Sequence, residues 1–581
     1  MQFEPVGLEP QGPDKKRLFL AVTMMMFMWF GYVEWITQNA PPPQAPTASP
    51  TKTDEPAVRS EVHQASKGNQ VENSEAQEAT APLGTPAAKV EALSHVKATI
   101  LKKAMGKDAE LVEVGYDISL TNYGAQIKAY ELTGYQAVPT EDGVTDGKKN
   151  NEWVDLTHGE VDKVYLMGLS SRGGDVALRP TDTYELVSKN ADGLIYERMT
   201  HEGVKIRRHY KFSDKDFSYE HTISIENEGN AGREIQFDLQ MSGKQKAGDP
   251  SSGMMSPMGT SLGASCHGTD EEHHRVELSD LEDGPLNITT PLKHVAMDDQ
   301  YFLHALIPNP VDKASCHIKL ADSGDPAEFV VSLSYPAFKI RPGEKVSWSQ
   351  TAYAGPKELD VLLAFGHGLE NNVDFGWFGV IARPMLWVLM QNYGLIGNFG
   401  LAIILLTMIV KLITFPLTQK SYVSMQQMKT IAPELKALQK KYAHDRQLQG
   451  QKQMELYREK GINPMAGCLP MFIQMPIWIA LYRTLWGSVE LYQQPFFGWL
   501  VDLTLPDPLY ILPVLMGGTM AIQTAFQPAP EDQPQMKYIM WGMPIFLTFI
   551  MLSLPAGLSL YMLTNNLLTI IQQAYIKKKY T

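Results

Sequence analysis

The fold of the last third of this chain is decided by the stretch Phe399-Gly-Leu-Ala-Ile-Ile-Leu-Leu-Thr-Met-Ile-Val-Lys-Leu-Ile-Thr-Phe-Pro416. The stretch is almost entirely apolar, and Lys411 is the one formal charge between Arg383 and Lys420. A lysine at the centre of a membrane-spanning helix costs roughly 2.5–3.5 kcal/mol, so its side chain is expected to face protein or water. The stretch therefore predicts a membrane-spanning helix with one charged position.

The helix face that carries Lys411 is polar. At about 100° per residue, Thr407, Thr414 and Thr418 lie within about 60° of the lysine, while the other positions are mostly Ile, Leu, Met and Val. Two interpretations stay open. The lysine either extends to the nearby cytoplasmic interface, or it belongs to a hydrated cationic site inside a membrane protein.

Composition divides the chain into a polar part and an apolar part. The mean hydropathy of −0.19 and the net charge of −13 average a polar first two-thirds with an apolar last third. The 581 residues leave room for a large soluble domain and a helical bundle. Three cysteines give no disulfide framework. Cys266 and Cys316 could pair in an extracytoplasmic domain, but the sequence does not show whether they are close.

The N-terminal segment has the pattern of an export signal. The segment Asp14-Lys-Lys-Arg17, with three basic residues, precedes an apolar run from Leu18 to Val33. We expect residues 1–37 to form a cytoplasmic N-terminus and an uncleaved membrane anchor, with a cleaved signal peptide as the alternative. Residues 38–107 are rich in Pro, Ala, Gln, Ser, Thr and Glu, which predicts a disordered tether.

Residues 108–355 show the alternation of apolar and polar side chains that is typical of strands. The clearest examples are the pair Ile223 and Ile225, the series Ile235, Phe237, Leu239 and Met241, and the runs Phe329–Tyr335 and Trp348–Tyr353. Turn signals separate these runs, so we predict one large β-sandwich domain.

Three histidine-containing pairs lie in the middle of this region, namely Cys266-His267, His273-His274 and Cys316-His317. Histidine and cysteine are zinc ligands, but the spacing fits no standard zinc site. We therefore expect these residues to be solvated loop residues.

The last third predicts a helical membrane bundle. The aromatic-rich residues 371–390 read as an interfacial helix, and residues 394–581 form the membrane core. Four apolar runs supply the spans: Leu395–Pro416, Gly461–Tyr482, Pro508–Pro530 and Tyr538–Ile576. The last run would reach about 58 Å as one helix, twice the hydrocarbon thickness, so we expect a hairpin that turns near Pro555-Ala-Gly557. With the N-terminal anchor, the chain has five core spans and six in all.

Basic residues set the predicted orientation. The 419–463 loop carries seven lysines and two arginines against four acidic residues, and the chain ends in Lys577-Lys-Lys579. The positive-inside rule then places both termini and this loop in the cytoplasm, and the β-domain outside. Helical periodicity on both sides of Ala443-His-Asp-Arg446 predicts that 419–463 is an amphipathic helical hairpin. The hairpin is either structural or a docking surface for an acidic partner.

Several motifs of the last third resemble those of the YidC membrane protein insertases. The matching stretches are Val373-Asp-Phe-Gly-Trp377, Gly397-Asn-Phe-Gly400, Val410-Lys-Leu-Ile-Thr-Phe-Pro-Leu-Thr418, Asn463-Pro-Met-Ala-Gly-Cys-Leu-Pro-Met-Phe-Ile-Gln-Met-Pro476, Gly487-Ser-Val-Glu-Leu491 and Asp507-Pro-Leu-Tyr-Ile-Leu-Pro-Val-Leu-Met-Gly517. The anchor, tether and β-domain are similar to the Gram-negative version of the family, whose periplasmic β-sandwich resembles sugar mutarotases. The resemblance implies insertion of nascent proteins into the bacterial inner membrane, alone or with the Sec translocon.

The resemblance also implies a substrate groove, with departures from the family pattern. Lys411 occupies the place where the family usually has arginine, which keeps the charge but loses the planar fork. Thr407 matches a groove threonine one turn earlier. The family's Tyr-Tyr pair is Tyr561-Met562 here. The chain also lacks the long basic tail that some relatives use for ribosome contact, which leaves the 419–463 hairpin as the better candidate.

A groove can be argued from the residues themselves. Tyr561, Asn565, Thr569 and Gln572 share one side of the last helix, which can meet the polar face around Lys411. Gln474 could join them, with Thr414 on the lysine side. In such a groove, the polar tail of an incoming protein would leave bulk water for another polar environment, and would not have to enter hydrocarbon. No nucleotide motif, redox centre or metal cluster is evident, so no cofactor is required.

Two other classes of function remain open at this stage. A secondary transporter also places charge inside a bundle, but it usually shows inverted repeats and paired intramembrane charges. A membrane-anchored carbohydrate-modifying enzyme is compatible with the β-sandwich, although fold does not imply function.

Overall fold

The computed structural model describes residues 91–103, 111–136, 153–190, 193–245, 262–289, 291–309, 314–321, 328–462, 469–526 and 534–580. The predicted anchor and most of the predicted tether lie outside these residues. The described chain has a sheet-rich part followed by a helical C-terminal part.

The strands of the sheet-rich part are β1 (Leu93–Lys103), β2 (Leu111–Thr121), β3 (Ile127–Gln136), β4 (Trp153–Asp155), β5 (Leu166–Gly174), β6 (Glu185–Asn190), β7 (Gly193–Met199), β8 (Val204–Phe212), β9 (Ser218–Asn227), β10 (Arg233–Lys244), β11 (Gly263–Gly268), β12 (His273–Glu277), β13 (Leu286–Ile288), β14 (Leu292–Asp298), β15 (Phe302–Asn309), β16 (Ser315–Leu320), β17 (Glu328–Ser334), β18 (Phe338–Ile340) and β19 (Lys345–Pro356). A 3-10 turn, Leu278–Asp283, follows β12.

The strands form two antiparallel sheets with a β-sandwich-like arrangement. The first has the order β1-β2-β3-β5-β10-β17-β16-β13, with β4 beside β3 and β18 beside β10. The second has the order β12-β11-β14-β15-β19-β9-β8-β7-β6. Both sheets contribute to one apolar core.

The predicted alternation is confirmed in the central strands. Ile223 and Ile225 on β9 and Phe237 and Leu239 on β10 are fully buried, because each faces the opposite sheet. The predicted end of the tether at residue 107 is wrong. Residues Leu93–Lys103 form β1 and pair with β2 along its whole length. The alternation of β1 is weak in sequence, since its inward positions include small or polar side chains.

A disulfide joins the two sheets. Cys266 on β11 and Cys316 on β16 are bonded across a sequence separation of 50 residues. A crosslink that closes a loop of that length lowers the entropy of the unfolded chain. In the chain-entropy treatment this raises the free energy of unfolding by about 4 kcal/mol. The structure thus resolves the pairing that the sequence left open, and a structural disulfide is typical of an oxidising compartment.

The histidine-containing pairs lie on strands, which makes the prediction of solvated loops wrong for them. His267 on β11 is fully buried, and its ring lies 5.3 Å, centroid to centroid, from that of His294 on β14. Among the described residues, no group of three or more His, Cys, Asp or Glu side chains could hold a metal ion.

Asn372 links the second sheet to the segment that leads into the helices. It lies in a 3-10 turn, Leu369–Asn372. Its amide Nδ2 donates to His294 Nε2 at 3.0 Å, and its Oδ1 accepts from Ser265 Oγ at 2.7 Å. His294 Nδ1 donates to the His367 carbonyl at 3.0 Å. This pairing requires a neutral imidazole, and burial lowers the pKa of His294 to about 3.

The helical part contains α1 (Leu359–Phe365), α2 (Gly379–Ile396), α3 (Phe399–Lys441), α4 (Arg446–Glu459), α5 (Leu469–Gly487), α6 (Ile511–Phe526), α7 (Pro534–Met551) and α8 (Ala556–Tyr580). Two further 3-10 turns are Gly376–Phe378 and Val489–Leu491. The break between α7 and α8 falls where the sequence predicted the hairpin turn, just before Ala556.

Two helix boundaries differ from the predictions. The helix expected over 371–390 corresponds to α2, which begins only at Gly379 and ends at Ile396. It follows directly on the 3-10 turn Gly376–Phe378, whose first residue, Gly376, has a positive φ of 58°. The first arm of the 419–463 hairpin is not a separate helix. α3 continues without a break through Pro416 and Pro433 to Lys441, so membrane segment and hairpin arm form one helix of 43 residues.

By length and composition, one described helix is long and apolar enough to cross a membrane, and it is α3. The segments Ile511–Phe526 and Met540–Met551 are apolar but shorter. The number of six spans therefore stays a prediction.

The neutral state of His294 predicts a pH-dependent stability. The ordinary pKa of an unfolded histidine is about 6.5, so the stabilisation from His294 is complete above that pH and is lost as the pH falls toward 3. We expect the Tm of the sheet-rich part in the full-length protein to fall from pH 7.5 to 4.5. The fall should be shallower in His294→Gln, which cannot become charged.

The matched control is His201→Gln, since His201 is exposed. It should leave the slope of Tm against pH unchanged. Burial also lowers the pKa of His267 and His273, so some slope should remain in His294→Gln. Parallel profiles for the wild type and His294→Gln would contradict this account of the junction.

Candidate functional site

Helices α3, α5 and α8 bring most of the predicted site residues together. The side chain of Asn398 fixes the start of α3, where its Oδ1 accepts from Leu401 N at 3.0 Å. From that cap, α3 runs alongside α8, and Lys411 faces α8. α5 approaches the first turns of α8 through Gln474.

The central contact of the site joins Lys411 to Thr569. Lys411 Nζ donates to Thr569 Oγ1 at 2.7 Å, and Thr569 Oγ1 donates to the Asn565 carbonyl at 2.7 Å. Lys411 is half-buried and Thr569 is buried. None of the ion pairs within the described part of the chain involves Lys411, and its ammonium is met by the Thr569 hydroxyl instead.

Two more hydrogen bonds connect α8 to its neighbours. Gln572 Nε2 donates to Thr418 Oγ1 at 3.1 Å, about two turns along α3 from Lys411. Gln474 Nε2 on α5 donates to the hydroxyl of Tyr561 at 2.8 Å, and Tyr561 is fully buried. These contacts form three polar rungs: Gln474 with Tyr561, Lys411 with Thr569, and Thr418 with Gln572.

The two other threonines predicted to share the Lys411 face, Thr407 and Thr414, do not hydrogen-bond to α8. Thr407 is buried and donates to the Ile403 carbonyl of its own helix at 2.7 Å. Thr414 donates to the Val410 carbonyl at 3.0 Å and lines a different, mostly apolar cavity of about 360 Å³ between α2, α3 and α5. Threonine commonly bonds the carbonyl one turn earlier in a helix, and here this local bond prevails.

Met562 and Asn565 lie on α8 beside the rungs, and both are half-buried. Met562 packs against the edge of the apolar core. The backbone carbonyl of Asn565 takes part in the central rung by accepting from Thr569.

A further polar contact, between α6 and α8, is not among those predicted from the sequence. Asn566 Nδ2 donates to Thr519 Oγ1 at 3.3 Å, and Gln523 Nε2 donates to the Asn566 carbonyl at 3.0 Å. Thr519 and Gln523 are four residues apart in an apolar run, so their shared helix face was the signal that could have identified them.

Comparison with known proteins agrees with this division of the chain. Residues 113–388 match the YidC periplasmic domain family, and residues 391–581 match the 60Kd inner membrane protein family. The membrane protein insertase YidC of Pseudomonas fluorescens (strain SBW25) is 34% identical over 579 residues, which cover 97% of this chain and 98% of the relative. The chain belongs to the YidC family of membrane protein insertases.

Two solved structures are similar at low sequence identity. One is described as an active YidC insertase with the first transmembrane domain resolved; it is 18% identical, covers 84% of this chain and 95% of its own, and has a TM-score of 0.35. The other is a putative aldose 1-epimerase from Escherichia coli K12, with 9% identity, 45% and 99% coverage and a TM-score of 0.27. Likenesses this low in TM-score assign neither fold nor activity.

Membership of the family settles the class of function. The chain is a membrane protein insertase of the inner membrane with a periplasmic domain, and not an enzyme. Its substrates are nascent membrane proteins, and it works in the lipid bilayer. The transporter and carbohydrate-enzyme alternatives are therefore set aside.

The rung between Gln474 and Tyr561 predicts an energetic coupling. Tyr561→Phe leaves the Gln474 amide without its acceptor, and Gln474→Leu leaves the Tyr561 hydroxyl without its donor, so each should destabilise the bundle. The double variant removes both polar groups. Its loss in free energy of unfolding should be smaller than the sum of the losses of the two single variants, by a coupling energy of about 0.5–1 kcal/mol. Thermal unfolding of the full-length protein in detergent measures the cycle. Strict additivity would show that the contact contributes nothing.

Proposed function

We propose that this insertase moves the polar segments of its substrates along a cationic groove between α3, α5 and α8. The observation that carries the proposal is the Lys411 ammonium, which lies half-buried between two membrane helices and, within the described residues, makes no ion pair. The groove residues are Lys411, Gln474, Tyr561, Met562 and Asn565. Thr569 and Gln572 join them because they hydrogen-bond to the α3 face. Thr407 and Thr414, which the sequence also predicted, bond carbonyls of their own helix, and Thr414 faces the cavity between α2, α3 and α5.

The physical task of the groove is to lower the cost of moving a polar tail across hydrocarbon. An unpaired polar group in an apolar medium loses several kcal/mol of solvation, and a charge loses more. Hydroxyls, amides and a cation along one path replace part of that solvation. An acidic tail is stabilised most, because the Lys411 ammonium attracts its carboxylates. Since Lys411 makes no ion pair within the described residues, a substrate carboxylate does not have to compete with one from the protein. Burial of the substrate's apolar helix in lipid supplies the driving force.

Exposed methionines beside the groove support contact with many different apolar sequences. Met408 on α3 and Met475 on α5 are 38% and 50% exposed. A flexible, polarisable thioether adapts to partners of different shape, which suits a site that receives unrelated helices.

For topology, we propose six spans with both termini in the cytoplasm. Five are α3, α5, α6, α7 and α8, and the sixth is the N-terminal anchor. The basic residues of the α3–α4 hairpin and of the C-terminus support this orientation through the positive-inside rule. The continuous α3 supports a hairpin that projects from the membrane, since 43 residues span about 64 Å, twice the hydrocarbon thickness.

For partners, we propose the Sec translocon and, through the hairpin, the ribosome. The hairpin is held together by the buried side chains of Ile431, Tyr457 and Ile462 and by an ion pair between Lys460 and Glu434 at 2.8 Å. A preformed hairpin with an exposed basic surface suits a polyanionic partner such as ribosomal RNA.

The Lys411 series tests the groove. With a substrate that has an acidic translocated tail, Lys411→Ala should reduce insertion by about tenfold, which corresponds to about 1.4 kcal/mol. Lys411→Arg should retain insertion because the charge is kept, and Lys411→Glu should abolish it. The measurement is insertion into proteoliposomes, repeated with a substrate whose tail acids are changed to serine.

The serine-tailed substrate should lose little in Lys411→Ala, since no charge attraction is removed. Lys420→Ala is the matched control, because Lys420 is exposed on the same helix and should leave both substrates unaffected. The thermal stability of each variant is measured alongside. Equal effects of Lys411→Ala on the two tails would rule out charge attraction and leave Lys411 as a structural residue.

Neutralising the hairpin tests ribosome contact. The triple variant Lys440→Gln, Lys441→Gln and Arg458→Gln removes three exposed charges and should weaken ribosome cosedimentation with proteoliposomes several-fold. It should also flatten the salt dependence, because fewer phosphate contacts are made. A control with the same charge change, Lys211→Gln, Lys215→Gln and Lys345→Gln, alters the sheet-rich part instead. Equal cosedimentation of the two variants would argue against the hairpin as the ribosome contact.

A further inference from the structure

A polar cavity lies where α3, α6 and α8 converge, about one turn beyond the rung between Thr418 and Gln572. Its volume is about 310 Å³. The residues that line it are Tyr422, Met425, Gln426 and Lys429 of α3, Ala525 and Phe526 of α6, and Gln573, Ile576 and Lys577 of α8. It is thus walled by the last turn of α6, the last quarter of α8 and the part of α3 that follows its apolar segment.

Two lysines from different helices meet at this cavity. Lys429 Nζ donates to the Phe526 carbonyl, which lies at the end of α6 where carbonyls lack helical partners. Lys577 Nζ lies 5.9 Å from the centroid of the Phe526 ring. An ammonium has three donors, so each lysine retains capacity for a ligand. Among the described lining residues, none is acidic, and the cavity is positively charged.

A third feature is an acceptor with no donor. Gln573 Oε1 is buried and has no hydrogen-bond partner. A buried acceptor without a donor costs about 1–3 kcal/mol. The cavity therefore calls for a ligand that brings both a negative charge and a hydroxyl or N–H donor.

The remaining walls of the cavity are apolar. Met425, Ala525, Phe526 and Ile576 contribute them. A site that combines cations, one free acceptor and apolar walls at the ends of membrane helices matches an amphiphile rather than a fully polar solute. Basic pockets between membrane helices are known to hold phospholipid headgroups.

We propose that this cavity binds the headgroup of an anionic phospholipid of the phosphatidylglycerol type. The phosphate diester lies between Lys429 and Lys577, and lysine serves it as a point charge. A headgroup hydroxyl donates to Gln573 Oε1. The glycerol backbone and first acyl carbons pack against Met425 and Ile576. The site goes beyond the insertase activity and uses none of the groove residues.

Lipid binding to the full-length protein in mixed micelles tests whether the charges of Lys429 and Lys577 hold the phosphate. Phosphatidylglycerol retained by the protein is titrated and counted by native mass spectrometry, with phosphatidylcholine as the neutral reference. Lys429→Gln with Lys577→Gln should weaken phosphatidylglycerol binding about tenfold and leave phosphatidylcholine unchanged. Lys440→Gln with Lys578→Gln removes the same charge from exposed neighbouring positions and should have no effect. Equal loss in both pairs would overturn the site.

The Gln573 acceptor is tested by a lipid that lacks the donor. Phosphatidylmethanol carries the same charge as phosphatidylglycerol but no headgroup hydroxyl. The wild type should prefer phosphatidylglycerol, whereas Gln573→Met should bind the two lipids equally and keep its affinity for phosphatidylmethanol. If Gln573→Met keeps the preference at unchanged Tm, the proposed role of Oε1 is wrong.

Two further arms distinguish other occupants. Inorganic phosphate at millimolar concentration should not displace phosphatidylglycerol, and displacement would identify a free phosphate site instead.

The other arm concerns two acidic residues of the chain itself, Glu531 and Asp532, which follow α6 in the sequence. If Glu531→Gln with Asp532→Asn created a phosphatidylglycerol preference that the wild type lacks, the lysines would belong to that acidic pair and the lipid assignment would be overturned.

Discussion

The bundle depends on one constraint, which is that a polar group among apolar helices must find a partner, because lipid offers none. Lys411 finds its partner in Thr569, and the hydrogen bond between them joins α3 to α8. The positions that follow Lys411 face outward, since Leu412 and Ile413 are 72% and 73% exposed. The same helix therefore presents an apolar surface on one side and a charged, hydrogen-bonded surface on the other. A substrate with an apolar helix and a polar tail needs both surfaces.

The sheet-rich part obeys the same constraint with different groups. His294 is buried in a neutral state because its two ring nitrogens are used by the His367 carbonyl and the Asn372 amide. A second connection is the hydrogen bond from Gln300 Nε2 to the Trp486 carbonyl at 2.7 Å, which joins the sheets to the end of α5. The sheets are thus attached at their base by specific polar bonds, at the end of the bundle opposite the hairpin. The residues of the proposed insertion path all belong to the helices.

The candidate site was predictable to the extent that it follows from helical periodicity. Spacing alone identifies the residues that share a face with Lys411, and it identifies the polar side of α8 on which Thr569 and Gln572 lie. It could not decide that Thr418 would accept from Gln572 in addition to bonding the Thr414 carbonyl of its own helix, whereas Thr407 and Thr414 bond carbonyls of their own helix. A threonine hydroxyl can donate within its helix and still accept from a neighbour, and whether it does depends on how closely the neighbouring helix approaches. Asn566 was missed for the same reason, since its partners are on another helix.

By itself, the sequence determined the length and type of most elements, because apolar runs and alternation act within a few residues of one another. It also determined the family, through motifs that are local. Only the tertiary structure decided which distant groups meet. Lys411 and Thr569 are 158 residues apart, and Cys266 and Cys316 are 50 apart. The strand Leu93–Lys103 likewise exists because β2 pairs with it, not because its own alternation is strong. Long-range pairs depend on how whole elements pack, and that information is spread over the chain rather than held at any one position.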